Sequence, residues 1–133
     1  MSLATKEIFK KCVVAQQAAY SKQLSLHPPI FEDDGFITTA FMSGAGGKVE
    51  LRCGPPEYDV ELFIHDASGN RWTLSELLTL PGVRGWMRVN RADLKGKQKV
   101  EAQVEYAFRL LKESVAYVPE MKWLLSEGER SRP

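Results

Sequence analysis

The sequence has little of what catalytic and metal sites usually need. It contains two histidines and two cysteines in 133 residues, and Cys12 and Cys53 do not form a Cys-x-x-Cys motif. Two distant histidines, His27 and His65, are too few for a zinc site. The sequence therefore predicts no metal centre and no bound cofactor. It also predicts two buried, reduced thiols rather than a disulfide.

Long hydrophobic runs are also missing. Charged residues follow Met1-Ser2-Leu3 almost at once, and no apolar stretch reaches the length of a membrane span. We therefore expect a cytoplasmic protein with no membrane partner. A hydrophobic content of 44% and 133 residues suit one globular domain. We place that domain at residues 1–126 and expect a frayed tail at 127–133, where little apolar surface is left to bury.

Net charge is small for the chain as a whole but not for its parts. The formal net charge is +1. Residues 28–66 carry eight acidic and two basic side chains, whereas residues 67–99 carry seven basic and two acidic ones. Unless folding brings these two parts together, the surface is dipolar. Such a surface suits a charged partner.

Hydrophobic periodicity predicts a helix followed by strands. The helix ends near Lys22. Its apolar face repeats at helical spacing through Ile8, Cys12, Ala15 and Ala19, and Phe9, Val13 and Tyr20 widen it. Between residues 30 and 66 apolar and polar residues alternate, which is typical of antiparallel strands with one face in water. Asp33-Asp34-Gly35, residues 43–47 and residues 66–70 predict the turns between these strands.

Three helices are predicted after the strands. Thr73-Leu74-Ser75-Glu76 matches a capping box and opens a short helix over residues 74–80. A second short helix is predicted over residues 83–90. The clearest signal is a long helix from about Lys97, whose apolar residues recur at steps of three and four: Val100, Val104, Phe108, Leu111, Val115 and Val118.

These elements predict the fold class. We expect an α+β domain with an N-terminal helix and an antiparallel sheet of three to five strands. Two short helices and a long C-terminal helix then pack on one face.

Two loops resemble ligand-binding loops but fail on spacing. Residues 43–48 place glycines before a lysine, yet a phosphate-binding loop needs Ser or Thr after that lysine and then a helix. Residues 66–70 place oxygens at alternate positions, as a calcium loop does. Arg71 then stands where that loop needs glycine, and Leu77 where it needs glutamate. Both segments are interpreted as turns.

One cluster could support catalysis. His65, Glu61 and Cys53 offer a base, a carboxylate and a nucleophile for hydrolysis or group transfer. Alternation along the strands puts His65 on a face with Glu61 and Phe63, however, while Cys53 groups with Leu51. A small hydrolase or transferase is therefore the alternative to a non-catalytic protein.

A basic face is predicted on the second short helix. Arg84, Arg88 and Arg91 are spaced by four and three residues and so share one side, with Trp86 nearby. Cations beside aromatic rings bind phosphate backbones and stack on bases. The total charge is far below that of dedicated nucleic-acid binders, so an acidic protein partner is favoured. Gly85 in this helix indicates close approach of another group.

A structural interpretation of this helix stays open beside the functional one. The arginines would then be a solvated face, and the apolar side chains would fill the core: Val83, Trp86, Met87 and Val89. Acidic residues crowd the turns of the strand region at Asp33, Asp34, Glu57 and Asp59. Such acids keep sheet edges from pairing, or they present an acidic surface to a basic partner.

The sequence favours a non-catalytic protein-binding domain acting through a charged surface. Adaptors, chaperones and toxin-neutralising proteins of the kind bacteria use belong to this class. Binding needs about 800 Å² per partner and no special residue types. Candidate partner-binding residues are Arg84, Arg88, Arg91 and Trp86, together with Asp33, Asp34, Glu57 and Asp59. A homodimer stays open, and nucleic-acid binding through the arginine face is the third hypothesis.

Overall fold

The computed structural model describes residues 2–55, 59–90 and 99–126. The predicted tail at 127–133 lies outside the described residues. The elements follow in this order: α1 (Ser2–Ala19), β1 (Ile30–Asp33), β2 (Thr38–Gly44), β3 (Gly47–Cys53), β4 (Val60–Asp66), β5 (Arg71–Thr73), α2 (Leu74–Leu77), α3 (Pro81–Asn90), α4 (Val100–Ser114) and a 3-10 helix (Pro119–Leu124). The predicted α+β class is confirmed.

The five strands form one antiparallel meander in the order β1-β2-β3-β4-β5. The three predicted turns join successive strands. Gly35 and Gly69 adopt φ of 97° and 90° in two of them, a conformation that glycine tolerates best. In the turn after β4, Asp66 Oδ1 accepts hydrogen bonds from the backbone N–H groups of Ser68 and Asn70 at 2.9 and 3.0 Å. That carboxylate therefore stabilises a turn.

Alternation along the strands gives the sheet two different faces. The inner face carries buried apolar side chains that pack in one core with the helices: Ala40, Met42, Val49, Leu51, Leu62 and Ile64. We call the opposite side the outer sheet face. The register assigns to it Ile30, Glu32, Thr39, Phe41, Ser43, Lys48, Glu50, Arg52, Glu61, Phe63, His65, Arg71 and Thr73.

The predicted apolar stripe is buried as expected, but α4 ends at Ser114, before Val115 and Val118. All six residues of the stripe, Val100, Val104, Phe108, Leu111, Val115 and Val118, are at most 7% exposed. The helix lies against both α1 and β4.

The predicted apolar face of α1 is right in part. Phe9 and Val13 are fully buried, whereas Ile8 is 39% exposed and Ala15 and Ala19 lie in solvent. Apolar residues occur in adjacent pairs in this helix. They therefore form two neighbouring apolar stripes, shifted from each other by one position along the chain. The stripe that packs in the core with α4 is the one containing Phe9 and Val13.

The glycine-rich turn between β2 and β3 is packed against Trp123 from the 3-10 helix. A Cβ atom added to Gly46 would lie 2.7 Å from Trp123 Cβ and Cγ, and one added to Gly44 would lie 2.8 Å from the indole ring. The interpretation of residues 43–48 as a turn is confirmed. The glycines allow a large ring to approach the backbone closely.

The capping box at the start of α2 is confirmed. The Thr73 hydroxyl accepts the N–H of Glu76, and the Glu76 carboxylate accepts the N–H of Thr73. The helix ends at Leu77, earlier than predicted, and α3 begins at Pro81 rather than at Val83. None of the described helices combines the length and apolarity that a bilayer span requires.

Candidate functional site

Glu50 lies in the middle of the outer sheet face, yet it is only 5% exposed. Lys48 and Arg52 precede and follow it by two residues on β3, so all three side chains leave the sheet on the same side. His65 reaches it from β4, where it pairs in register with Lys48. These four residues are called the Glu50 cluster.

Cationic groups surround both oxygens of the Glu50 carboxylate. Arg52 donates to Oε2 from Nη2 at 3.0 Å and from Nε at 3.2 Å. Lys48 Nζ lies 3.8 Å from Oε1, and His65 Nε2 lies 2.9 Å from the same oxygen. The His65 contact has ion-pair distance but lacks the alignment of a hydrogen bond. Burial of a carboxylate is costly without such partners, and here they are present.

Two phenylalanine rings support the cations of this face. Lys48 Nζ lies 5.2 Å from the centroid of Phe41. Arg52 and Arg71 both lie over Phe63, with Cζ atoms 4.5 and 5.2 Å from its centroid. The side chains of Lys48 and Arg52 stay 44% and 39% exposed while Glu50 is buried. The charge accessible to a partner at this cluster is therefore positive.

The predicted catalytic trio does not come together. His65 and Glu61 share the outer sheet face, but Cys53 lies on the inner face and is 3% exposed. Burial, with the charge of Asp59, raises the pKa of the Cys53 thiol to about 11, so it is a poor source of thiolate at neutral pH. The carboxylate that contacts His65 belongs to Glu50.

Sequence reasoning missed Glu50 as a site residue. One signal was present in the sequence. Lys48, Glu50 and Arg52 occupy every second position of one strand, so an acidic side chain lies between two basic ones on the same face. The contact with His65 depends on the register between β3 and β4, which this pattern does not specify.

Two of the three predicted arginines lie exposed on α3, where Arg84 and Arg88 are one turn apart. Arg91 lies outside the described residues. Trp86 packs away from them, with its ring 5.5 Å from that of Tyr106 and 5.8 Å from Arg109 Cζ. No aromatic platform for stacking bases is therefore built beside Arg84 and Arg88 in the described part of the helix.

The core residues predicted on α3 are partly right. Val83 and Met87 are buried, and Trp86 is half-buried, but Val89 is 76% exposed. Val89 follows Gly85 by one turn and faces solvent with it. The close approach inferred for Gly85 is wrong for the described chain, because a Cβ atom there would meet nothing within 4 Å.

The acidic turn residues are used within the turn itself. Asp33 Oδ1 accepts the Gly35 N–H at 2.9 Å and a bond from Lys6 Nζ at 3.2 Å, and both contacts lower its pKa. Asp34 Oδ1 accepts the N–H groups of Ile37 and Phe36 at 2.7 and 2.9 Å, which lowers its pKa as well. These acids thus order the β1–β2 turn.

The other predicted site residues have less to contribute. Asp59 is exposed before β4, and Glu57 lies outside the described residues. Cys12 and Cys53 are both thiols, but Cys12 is half-buried, less enclosed than expected. Burial, with the charge of Glu101, raises the pKa of Cys12. Across residues 2–55, 59–90 and 99–126, no three His, Cys, Asp or Glu side chains gather as metal ligands would.

Comparisons with protein-family models, with curated proteins and with solved structures found no match. What the outer sheet face can do is therefore inferred from its own geometry. It presents half-exposed cations held by a buried carboxylate and by aromatic rings.

Proposed function

We propose that this chain is a non-catalytic protein-binding domain that binds an acidic protein surface through the outer sheet face. The Glu50 cluster is the observation that carries this proposal. A buried carboxylate fixes cations whose ends stay in solvent, and apolar rings lie beside them. Arginine and aromatic residues are enriched in the energetically important parts of protein interfaces.

Preorganisation of the cations favours binding. A long basic side chain loses rotamer freedom when it pairs with a partner, and this loss opposes association. Arg52 is already held by two hydrogen bonds to Glu50 and by the ring of Phe63. Its guanidinium therefore loses less freedom on meeting an acidic group than a mobile arginine would.

The shape of the face favours a protein over a small molecule. Small-molecule sites are usually concave, with a few polar groups that converge in a pocket. Two cavities lie beside β4 and at the ends of β3 and β4. Phe63 lines the first and Arg52 the second, but Glu50 and His65 line neither. A sheet face with alternating cations and rings suits a broad partner surface.

Site-specific photo-cross-linking tests the proposal. Benzoylphenylalanine replaces Phe41 on the outer sheet face, or Val14, which is 49% exposed on α1, as the matched control. We expect the first position to cross-link one protein in native-host extract, and mass spectrometry to identify an acidic surface on it. Equal cross-linking from position 14 would contradict the proposal. So would a product containing only two copies of this chain.

A second candidate function rests on the contact between His65 and Glu50. A carboxylate 2.9 Å from Nε2 would orient the ring as a general base once the two groups align as a hydrogen bond. Purified protein assayed with activated esters distinguishes the two functions. A hydrolysis rate lost in His65→Gln, with the fold intact, would favour catalysis. We expect both proteins to match the rate without protein.

A further inference from the structure

Strand β5 covers only part of its neighbour. Its three residues pair with Phe63, Ile64 and His65, and the chain then turns into α2. The first residues of β4, from Val60 to Leu62, pair with β3 on one side but have no described strand on the other. Among the described residues, the sheet therefore has a short open edge beside β5.

Hydrogen bonds identify which main-chain groups face this open edge. The N–H of Asp66 donates to Asn70 O at 3.0 Å, and the N–H of Val60 donates to Gln103 Oε1 at 2.8 Å. Both bonds point away from β3. Because backbone groups alternate in direction along a strand, those of Leu62 point the same way. No described main-chain group pairs with Leu62 on that side.

A cavity of about 580 Å³ lies at the same edge. Its walls include apolar side chains from β4, α3 and α4, among them Leu62, Met87 and Leu110, and its rim includes the acids Asp59 and Glu61. This volume is within the range of known ligand sites. The Gln103 side chain already occupies one hydrogen-bonding position that a further strand would use.

We propose that an extended segment of a partner protein adds to this edge as a strand beside Leu62. Strand addition takes affinity from main-chain hydrogen bonds and specificity from pockets for alternate side chains. The cavity accepts an apolar side chain, and Asp59 and Glu61 select a basic residue near it. This site borders the Glu50 cluster, because Glu61 pairs in register with Arg52 and Phe63 lies under Arg52, but neither Glu50 nor His65 lines it. Its test does not depend on the function proposed above.

Selection of displayed eight-residue peptides on the purified chain provides the probe. We expect enriched peptides to alternate apolar and polar residues and to contain Lys or Arg. The best peptide is then synthesised in two N-methylated forms, each blocking one edge of the extended peptide. Blocking the edge that faces Leu62 should weaken binding about tenfold, whereas blocking the other edge should have little effect.

A matched pair of charge variants locates the site. Glu61 and Glu32 are both exposed acids of the outer sheet face, but they lie on strands near opposite edges of the sheet. We expect Glu61→Lys to weaken the peptide severalfold and Glu32→Lys to leave it unchanged. On peptide binding, the Leu62 amide should become protected from hydrogen exchange.

Four results would overturn the inference. Selection could enrich no peptide above background. The two N-methylated forms could bind equally. The Leu62 amide could already be protected in the peptide-free protein, which would mean that the chain occupies this edge itself. Binding that survives Glu61→Lys but is lost in Glu32→Lys would move the site to β1.

Discussion

Arg52 holds the carboxylate of Glu50, two residues before it on the same strand, through hydrogen bonds of 3.0 and 3.2 Å to one oxygen. The two partners differ in burial, since Glu50 is 5% exposed while the Arg52 side chain is 39% exposed. Removing Arg52 therefore has a different consequence from removing Glu50. A cation left alone here can turn to water, whereas the carboxylate cannot.

We expect Arg52→Ala to destabilise the fold more than Glu50→Gln does. Arg52→Ala leaves the buried Glu50 carboxylate with two weaker partners, Lys48 and His65. Glu50→Gln leaves only half-exposed cations without their carboxylate. Partial exposure screens the pair, so we expect losses of about 2 and about 1 kcal/mol in the free energy of unfolding. Urea unfolding of both variants and of the double variant measures this. Equal losses, or a larger loss for Glu50→Gln, would show that Glu50 does not depend on Arg52.

Phe108 should be among the most costly residues to truncate. It is fully buried on α4 and stacks on Tyr20 with ring centroids 5.7 Å apart. We expect Phe108→Ala to lower the free energy of unfolding by roughly 3–5 kcal/mol, because a buried ring is replaced by a cavity. Val89→Ala is the control, since this side chain is 76% exposed, and it should change stability by less than about 0.5 kcal/mol. A loss below about 1 kcal/mol for Phe108→Ala would refute this packing.

Two glycines should respond to alanine with opposite signs. A methyl group at Gly46 would meet Trp123, so we expect Gly46→Ala to destabilise by about 1–3 kcal/mol. A methyl group at Gly85, inside α3, would meet nothing within 4 Å, so Gly85→Ala should stabilise by up to about 1 kcal/mol. Thermal unfolding of the two variants checks both signs. A stabilising Gly46→Ala would mean that the indole does not lie on this turn.

Alkaline pH should weaken the fold through Cys53. Its pKa is raised from 9.0 to about 11, so the folded protein holds this proton more tightly than the unfolded chain. The resulting stabilisation is present below pH 9.0 and is lost as pH rises through about 11. We expect the stability advantage of the wild type over Cys53→Ala to shrink across this window in urea unfolding. An advantage that stays constant with pH would contradict the burial of this thiol.

The buried face of a helix was predicted best where its apolar residues form a single stripe. The apolar residues of α4 lie on a single stripe, so the buried face followed from spacing alone. In α1, Ile8 and Phe9 are adjacent, and so are Val13 and Val14, which leaves two stripes equally good. Only the packing against α4 decides between them. Val89 was assigned to the core for a similar reason, because hydrophobicity does not show which side of α3 faces solvent.

Only part of the candidate site could be predicted from the sequence. Alternation along β4 placed His65 on the face opposite to Cys53. The partner of His65 is Glu50, on another strand, and this contact depends on which residues of β3 and β4 lie side by side. A carboxylate in an alternating strand would also be expected to face water. Its burial results from neighbours on two strands and cannot be read from either strand alone.

The affinity of the cross-linked partner for two double variants tests the central claim most directly. Lys48→Gln with Arg71→Gln neutralises two cations of the outer sheet face, and Arg84→Gln with Arg88→Gln neutralises two on α3. Both variants change the charge equally and should fold normally. We expect the first to weaken binding about tenfold at low salt, with a smaller effect at high salt, and the second to bind like the wild type. Unchanged binding of the first variant with loss in the second would contradict the account and assign binding to α3.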